Sequence, residues 1–288
     1  MGFVGILVVF GMVFGGFIIA GGNMSVIIKA APIEVMIIGG AAFGAYLIAN
    51  PMKTIKMGLS MGMKSLTKKG PGKPEYIELL QMLFQLFQLL RKDGPQAVEK
   101  HIENPDKSEI FSAYPSFLKN HHAVDYLCDT MKITLSADLS PYDVDDLMDF
   151  DLKAIHSEEH HAQHAVQNVA DGFPGLGIVA AVLGIVKTMD YLTAGVEVIG
   201  AKVAAALVGT MLGVFGAYGI IGPIAAKMNG DIEDEGRYLA CIKAAMVSLQ
   251  RGAPPLVCIE YARRSIQPHE RPSFEEMDKA TKEIKKAA

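Results

Sequence analysis

An uncharged run of about 24 residues, VAAALVGTMLGVFGAYGIIGPIAA from Val203 to Ala226, sets most of what this chain can become. At 1.5 Å of rise per residue, a helix of that length crosses a hydrocarbon core of about 30 Å. It is expected to span a membrane. A second run, FPGLGIVAAVLGIV from Phe173 to Val186, is only about 14 residues long, a length that by itself suits a buried or re-entrant helix. Lys187 follows it, and a lysine at a helix end reaches the headgroups along its apolar stem, so the span extends to about residue 192. Pro174 and Pro223 stand near the ends of the pair. Neither run contains Asp, Glu, His, Lys or Arg, so an ion moved along it needs a partner's acid.

Two earlier runs have the same character. GFVGILVVFGMVFGGFIIAGG lacks the basic start of a secretory signal and is longer than a signal's apolar core, so it is expected to be a retained first span. Val35 to Met52 is a further uncharged run of about 18 residues. The predicted spans are roughly 3–21, 34–51, 173–192 and 200–227. Basic residues set the orientation: Lys53, Lys56, Lys64, Lys68, Lys69 and Lys73 follow the second span, whereas the first short loop has only Lys29. The long insertion, the C-terminal tail and both termini are therefore expected in the cytoplasm. The expected fold is all-α, a polytopic membrane protein with four transmembrane helices and a helical cytoplasmic domain. Its parts are 1–52 (helices one and two), 53–172 (cytoplasmic helical domain), 173–228 (helices three and four) and 229–288 (cytoplasmic helical tail). Glycines four apart, Gly11 and Gly15, Gly40 and Gly44, Gly209 and Gly213, suit close helix packing and an oligomer.

Half of the residues are hydrophobic, yet 20% are charged, as expected of membrane helices joined to a substantial soluble part. A net charge of -4 and the lack of a basic, aromatic-interleaved patch exclude nucleic acid as a partner. Cys128, Cys241 and Cys258 form no CxxC pair and leave one over, which suits a reducing compartment.

In the insertion, TKKGPGKPEY lacks the Ser or Thr of a phosphate loop, so no nucleotide or other cofactor is implied. YIELLQMLFQLFQLLRKDG has apolar residues at helical spacing with Gln on the other face, an amphipathic helix ended by Asp93-Gly94-Pro95. Shorter helices are expected around Pro95 to Ile102, Ser108 to Lys119, His121 to Ser136 and Pro141 to His164. His156, His160 and His164 fall four apart, a spacing at which imidazoles can share a zinc ion. HExxH is not matched and no cysteine is near, so a solvated polar face is the preferred reading and no metal is predicted.

RKDGPQAVEKHIENP, SEIFSAYPSFL, DGFPGLGIVAAVLGIV, VGTMLGVFGAYGIIGPIA and ERPSFEEM, set in four spans with a cytoplasmic insertion, resemble the MotA family of flagellar motor stator subunits. The resemblance covers nearly the whole chain, and IENP and the two prolines are its most specific elements. It implies a subunit, not an enzyme, of a pentamer around two helices of MotB in the bacterial inner membrane. There a MotB aspartate carries the ion, and flow is converted into torque on the rotor protein FliG. It further implies that Pro174 and Pro223 deform, that Thr210 and Tyr218 line the channel, and that Arg91 and Glu99 meet the rotor. Sodium-driven relatives carry threonine where this chain has Ala181, and a desolvated sodium ion needs an oxygen ligand, so a proton motor is expected. An energiser resembling ExbB or TolQ is the alternative, disfavoured because those relatives typically have three spans. A metalloenzyme built on the histidines is a third.

Overall fold

The structure is a computed structural model that describes residues 2–67 and 70–287, the side chains of residues 283 and 285–287 excepted. Lys68 and Lys69 of the basic cluster lie outside the described residues. Thirteen α-helices are present among these: α1 (Gly2–Ile19), α2 (Met24–Ala49), α3 (Met52–Thr67), α4 (Lys73–Asp93), α5 (Pro95–Glu103), α6 (Glu109–Ser112), α7 (Pro115–Leu118), α8 (His121–Ser136), α9 (Pro141–Thr188), α10 (Val196–Gly216), α11 (Gly222–Gln250), α12 (Pro255–Ser265) and α13 (Phe274–Ala287). No strand occurs among the described residues. Four helical stretches are long and apolar enough to cross a membrane: Gly2–Ile19, Met24–Ala49, Pro141–Tyr191 and Val196–Gln250. The chain divides into two compact units, residues 1–68 with 158–231 and residues 69–157 with 232–288. Residues 53–67 and 158–172, assigned above to the insertion, pack in the unit that holds the spans.

Two of the expected helices are longer than the sequence suggested. The second span begins at Met24, where Asn23 accepts a hydrogen bond from the Ser25 N–H at 3.0 Å and satisfies an amide that the first turn leaves unpaired. Lys29, Pro32 and Glu34 therefore all lie within α2. The expected break between a helix ending at His164 and a span starting at Phe173 is absent, and α9 runs without interruption from Pro141 to Thr188.

In the first unit the backbones of α9 and α10 meet along a line of small residues. A Cβ placed on Gly213 would fall 2.7 Å from Gly177 Cα and 2.9 Å from the Phe173 carbonyl oxygen, and one on Gly177 would fall 2.9 Å from the Gly209 carbonyl. Gly184 against Ala206 and Gly216 against the Phe173 ring continue the line. Dispersion contacts are what hold such helices together, because lipid offers no hydrophobic drive between them, and they need backbones this close. On α2, Glu34, Ile38, Ala42 and Tyr46 are buried; the four-residue spacing makes them one stripe. Helix α1 touches α10 through Phe10 and Phe14, whose rings stand 4.9 and 5.4 Å from that of Phe215, and has no buried residue. Below the stripe, Tyr46, Ile55 and Ala165 form a small cluster that joins α2, α3 and α9.

The second unit is built on α4. Its Tyr76, Leu79, Leu80, Met82, Leu83, Phe84, Leu86 and Phe87 are all buried, so the helix is covered on more sides than the amphipathic pattern indicated. The glutamines are taken up by other helices: Gln81 donates to the Ala280 carbonyl at 3.3 Å and Gln85 accepts from the Tyr114 hydroxyl at 3.3 Å. Such pairing lets a polar group stay inside a core without the cost of an unmet hydrogen bond. In ERPSFEEM, Ser273 and Glu276 cap the start of α13 reciprocally, and Arg271 bonds the Ile266 and Arg264 carbonyls. All three thiols are buried, and burial pushes those of Cys128 and Cys241 up to about 12, which keeps them unreactive.

The glycine line yields a direct contrast. A methyl on Gly213 must push α9 and α10 apart, whereas a Cβ on Gly11 meets nothing within 4 Å. Gly213→Ala is expected to destabilise the protein by about 1–3 kcal/mol and Gly11→Ala to leave it unchanged, as read from thermal melts of detergent-solubilised protein.

Candidate functional site

Pro174 lies inside α9, and Pro223 is the second residue of α11, in a helical stretch that runs on from α10 through residues 196–250. Pro174 is half-buried within α9, and because it has no N–H, the carbonyl four residues earlier, on Ala170, loses its helical donor. Pro223 is exposed and follows a π-helical turn, Ala217–Ile221, in which the Gly222 N–H reaches back to the Ala217 carbonyl. The two features belong together. Pro223 cannot bond the Gly219 carbonyl, and a turn widened by one residue lets the chain pass that gap without breaking. The Gln163 side chain, which donates to the Ala225 carbonyl at 3.2 Å, ties α9 to α11 just beyond it.

The other membrane positions surround the glycine line. Ala181 is buried, its backbone nitrogen 3.2 Å from the point a Cβ on Gly209 would take. Thr210 is half-buried. Thr188 folds its hydroxyl onto its own helix, at the Gly184 carbonyl 2.8 Å away, a bond not found for Thr210 among the described residues. Tyr218, within the wide turn, is 75% exposed. Pro174 and Ala181 thus lie on α9, Thr210 on α10, Tyr218 in the turn that ends α10 and Pro223 in the first turn of α11.

One expectation is corrected here. The sequence sets the start of the second span at about residue 34, but Glu34 lies well inside α2 and is only 8% exposed. Its Oε2 has no hydrogen-bond partner among the described residues and would be 2.6 Å from a Cβ on Gly209. The reading missed it because the uncharged window was counted from Val35. Its spacing of four from Ile38, and onward to Ala42 and Tyr46, was the signal that could have placed it.

Arg91 and Glu99 belong to the second unit, and both are exposed. Arg91 sits in the last turn of α4, and Gly94 at φ +84 starts α5 at once; only glycine holds that backbone without strain. Arg91 and Lys92 line an open cleft of about 350 Å³ with Phe84, Gln88, Pro254, Pro255 and Leu256. The IENP block anchors the far end of α5. Ile102 is buried, and the buried His101 shares a 2.8 Å hydrogen bond with Ser108, whose hydroxyl accepts from the Phe111 N–H. Of the histidines on α9, His160 and His164 have ring centroids 6.4 Å apart. No group of three or more His, Cys, Asp or Glu among the described residues is placed to hold a metal ion.

Two family models match the chain: motility protein A N-terminal over residues 3–94, and the MotA/TolQ/ExbB proton channel family over residues 119–240. Motility protein A of Salmonella typhimurium is 33% identical over 98% of this chain and 95% of that protein. The chain belongs to the motility protein A family. Chemotaxis protein LafT of Vibrio parahaemolyticus is also 33% identical, over 96% of each chain. Among solved structures, the flagellar MotAB stator complex from Bacillus subtilis matches with a TM-score of 0.72 at 22% identity, covering 90% of this chain and 93% of that one. MotAB from C. jejuni matches with a TM-score of 0.76 at 19% identity, covering 95% and 98%. Both share the fold. With its four apolar helical stretches, this member of the family is a membrane protein.

Two outcomes follow from this geometry. Pro223→Ala restores the missing donor, so hydrogen exchange of the amides in 217–221 should slow as the wide turn tightens to α-helix. Burial, and after it the neighbouring Lys100, lower the pKa of His101 below its usual 6.5. Above about pH 6.5 the ring is neutral in both folded and unfolded chains. As the pH falls below that value the unfolded chain takes up a proton that the folded one resists, and stability is lost. His101→Gln should therefore melt with less dependence on acid pH than the parent protein.

Proposed function

We propose that this chain is the torque-generating stator subunit of a proton-driven flagellar motor. In this reading five copies surround a MotB dimer in the bacterial inner membrane, with the insertion, tail and termini in the cytoplasm. A MotB aspartate carries the proton through a path bordered by Thr210, Tyr218 and Ala181. Proton arrival and release flex α9 at Pro174 and the α10–α11 stretch at Pro223, and the exposed Arg91 and Glu99 deliver the motion to FliG through complementary charges, which set encounter and register.

The observation that carries the reading is the wide turn directly before Pro223, next to the closely packed α9–α10 line. A helix interrupted at that point bends at little cost in hydrogen bonds, while the glycine contacts transmit the bend to α9. One charge crossing 100 mV releases about 2.3 kcal/mol, so small, repeated deformations suit the energy available. The exposed ring of Tyr218 and the exposed apolar faces of α1 and α2 support neighbours from other chains. The match of residues 3–94 to the motility-specific model favours this reading over an ExbB- or TolQ-like energiser. The chemistry of Ala181, which offers a methyl group and no oxygen, favours protons over sodium.

Cells that depend on this stator should stop rotating when the proton gradient is collapsed with the sodium gradient intact. Continued rotation under those conditions would overturn the proton assignment.

A further inference from the structure

Glu34 has no task in the reading above. Three helices meet at it. The carboxyl hangs from α2, its Oε2 lies 2.6 Å from the position of a Cβ on Gly209 of α10, and Ala180 Cβ and Ala181 N of α9 are each 3.2 Å from that same point. Only a glycine at 209 leaves room for the carboxyl between the helices. Nothing close by balances a charge there. The facing segments, Phe173–Val186 of α9 and Val203–Gly216 of α10, contain no titratable side chain. The titratable residues that flank these segments are Lys29 and Tyr46 on α2, Asp171 and Lys187 on α9, Asp190 and Tyr191 just after it, Glu197 and Lys202 on α10, and Tyr218 in the turn that follows it. Tyr46 lies three turns further along the same stripe, with its hydroxyl toward the Ile55 carbonyl at 3.5 Å. Lys202 lies 4.5 Å over the ring of Tyr191.

An ionised carboxylate in a dry three-helix junction, with no cation beside it, is strongly disfavoured, and the group takes up a proton instead. A purely structural need for a buried donor would be met equally well by glutamine. What glutamate adds is the ability to let the proton go. The carboxyl also shares its junction with Ala181, two turns from Pro174 on the same helix, so a shift of α9 against α10 changes its surroundings directly.

We propose that Glu34 is a proton-binding site of this chain's own, protonated while α9 and α10 are closed on α2 and able to release its proton when the line opens there. In the release step the carboxylic O–H bond breaks, the proton passes to a water molecule admitted at the opening, and the carboxylate remains; closure reverses the transfer. Its place in ion flow rests on the proton-conducting reading above, whereas occupancy of the site does not.

The test uses the full complex with its partner in lipid vesicles. Dicyclohexylcarbodiimide adds to a protonated buried carboxyl to give a stable acylurea that peptide mass spectrometry can locate. Glu34 should be modified at neutral pH, less so as the pH rises, and the adduct on that peptide should vanish in Glu34→Gln. In the same vesicles Glu34→Gln should assemble, yet carry at least about tenfold less proton flux with a flattened pH profile, and Glu34→Asp should restore the pH dependence. An unmodified Glu34 in the parent complex, or parental flux at every pH in Glu34→Gln, would overturn the proposal. If the variant does not assemble, labelling of the parent complex still decides. A parent complex that labels at Glu34 but conducts no protons would refute the proton-conducting reading while leaving the site in place.

Discussion

The contact on which the membrane part depends is the backbone-to-backbone approach of α9 and α10 at Gly177 and Gly213. In lipid, two helices gain nothing from hiding apolar surface from each other, so their association depends on contact distance. Each glycine removes a Cβ that would otherwise stand between them. The close approach then fixes what surrounds it: the room for Glu34 beside Gly209, the burial of Ala181, and the position of the wide turn where α10 ends. A looser pair would leave each of these to chance.

The second unit solves a different problem. It must hide a helix as apolar as α4 while leaving Arg91 and Glu99 at the surface, and it does so by covering α4 from several directions. Gln81 and Gln85 are satisfied by Ala280 and Tyr114, and the turn at Gly94 sends the chain into α5 before the charged end can be covered. The IENP block then pins α5 through Ile102 and His101. Conformational precision at the exposed charges thus comes from buried residues on either side of them.

Much of this was legible in the sequence. The four apolar stretches follow from uncharged length alone, because a hydrocarbon core tolerates few charges, and the Gly209–Gly213 pair proved to be a true contact. A Cβ on Gly11, Gly15, Gly40 or Gly44 meets nothing within 4 Å among the described residues, since spacing says that a close approach is possible but not with which helix. The start of α2 was misjudged because charge was treated as a boundary. Asn23 supplies the actual boundary, while Glu34 is admitted by a glycine on a helix more than a hundred residues away. The α4 glutamines stand on the face opposite the apolar residues, and what covers that face was not legible for a related reason. Their partners are non-local, with Ala280 199 positions from Gln81, and no local periodicity records that.

The wide turn before Pro223 also decides which way the first charge beyond the span faces. Along α10 the buried side runs through Ala206, Gly209, Gly213 and Gly216. In an unbroken helix that side would pass on through positions 224 and 227. One additional residue in the turn rotates everything after it by about 100°, and the buried positions become Ala225 and Met228 instead. Lys227 is thereby turned outward, where it pairs with Asp231, and a methionine rather than an ammonium closes the packed side.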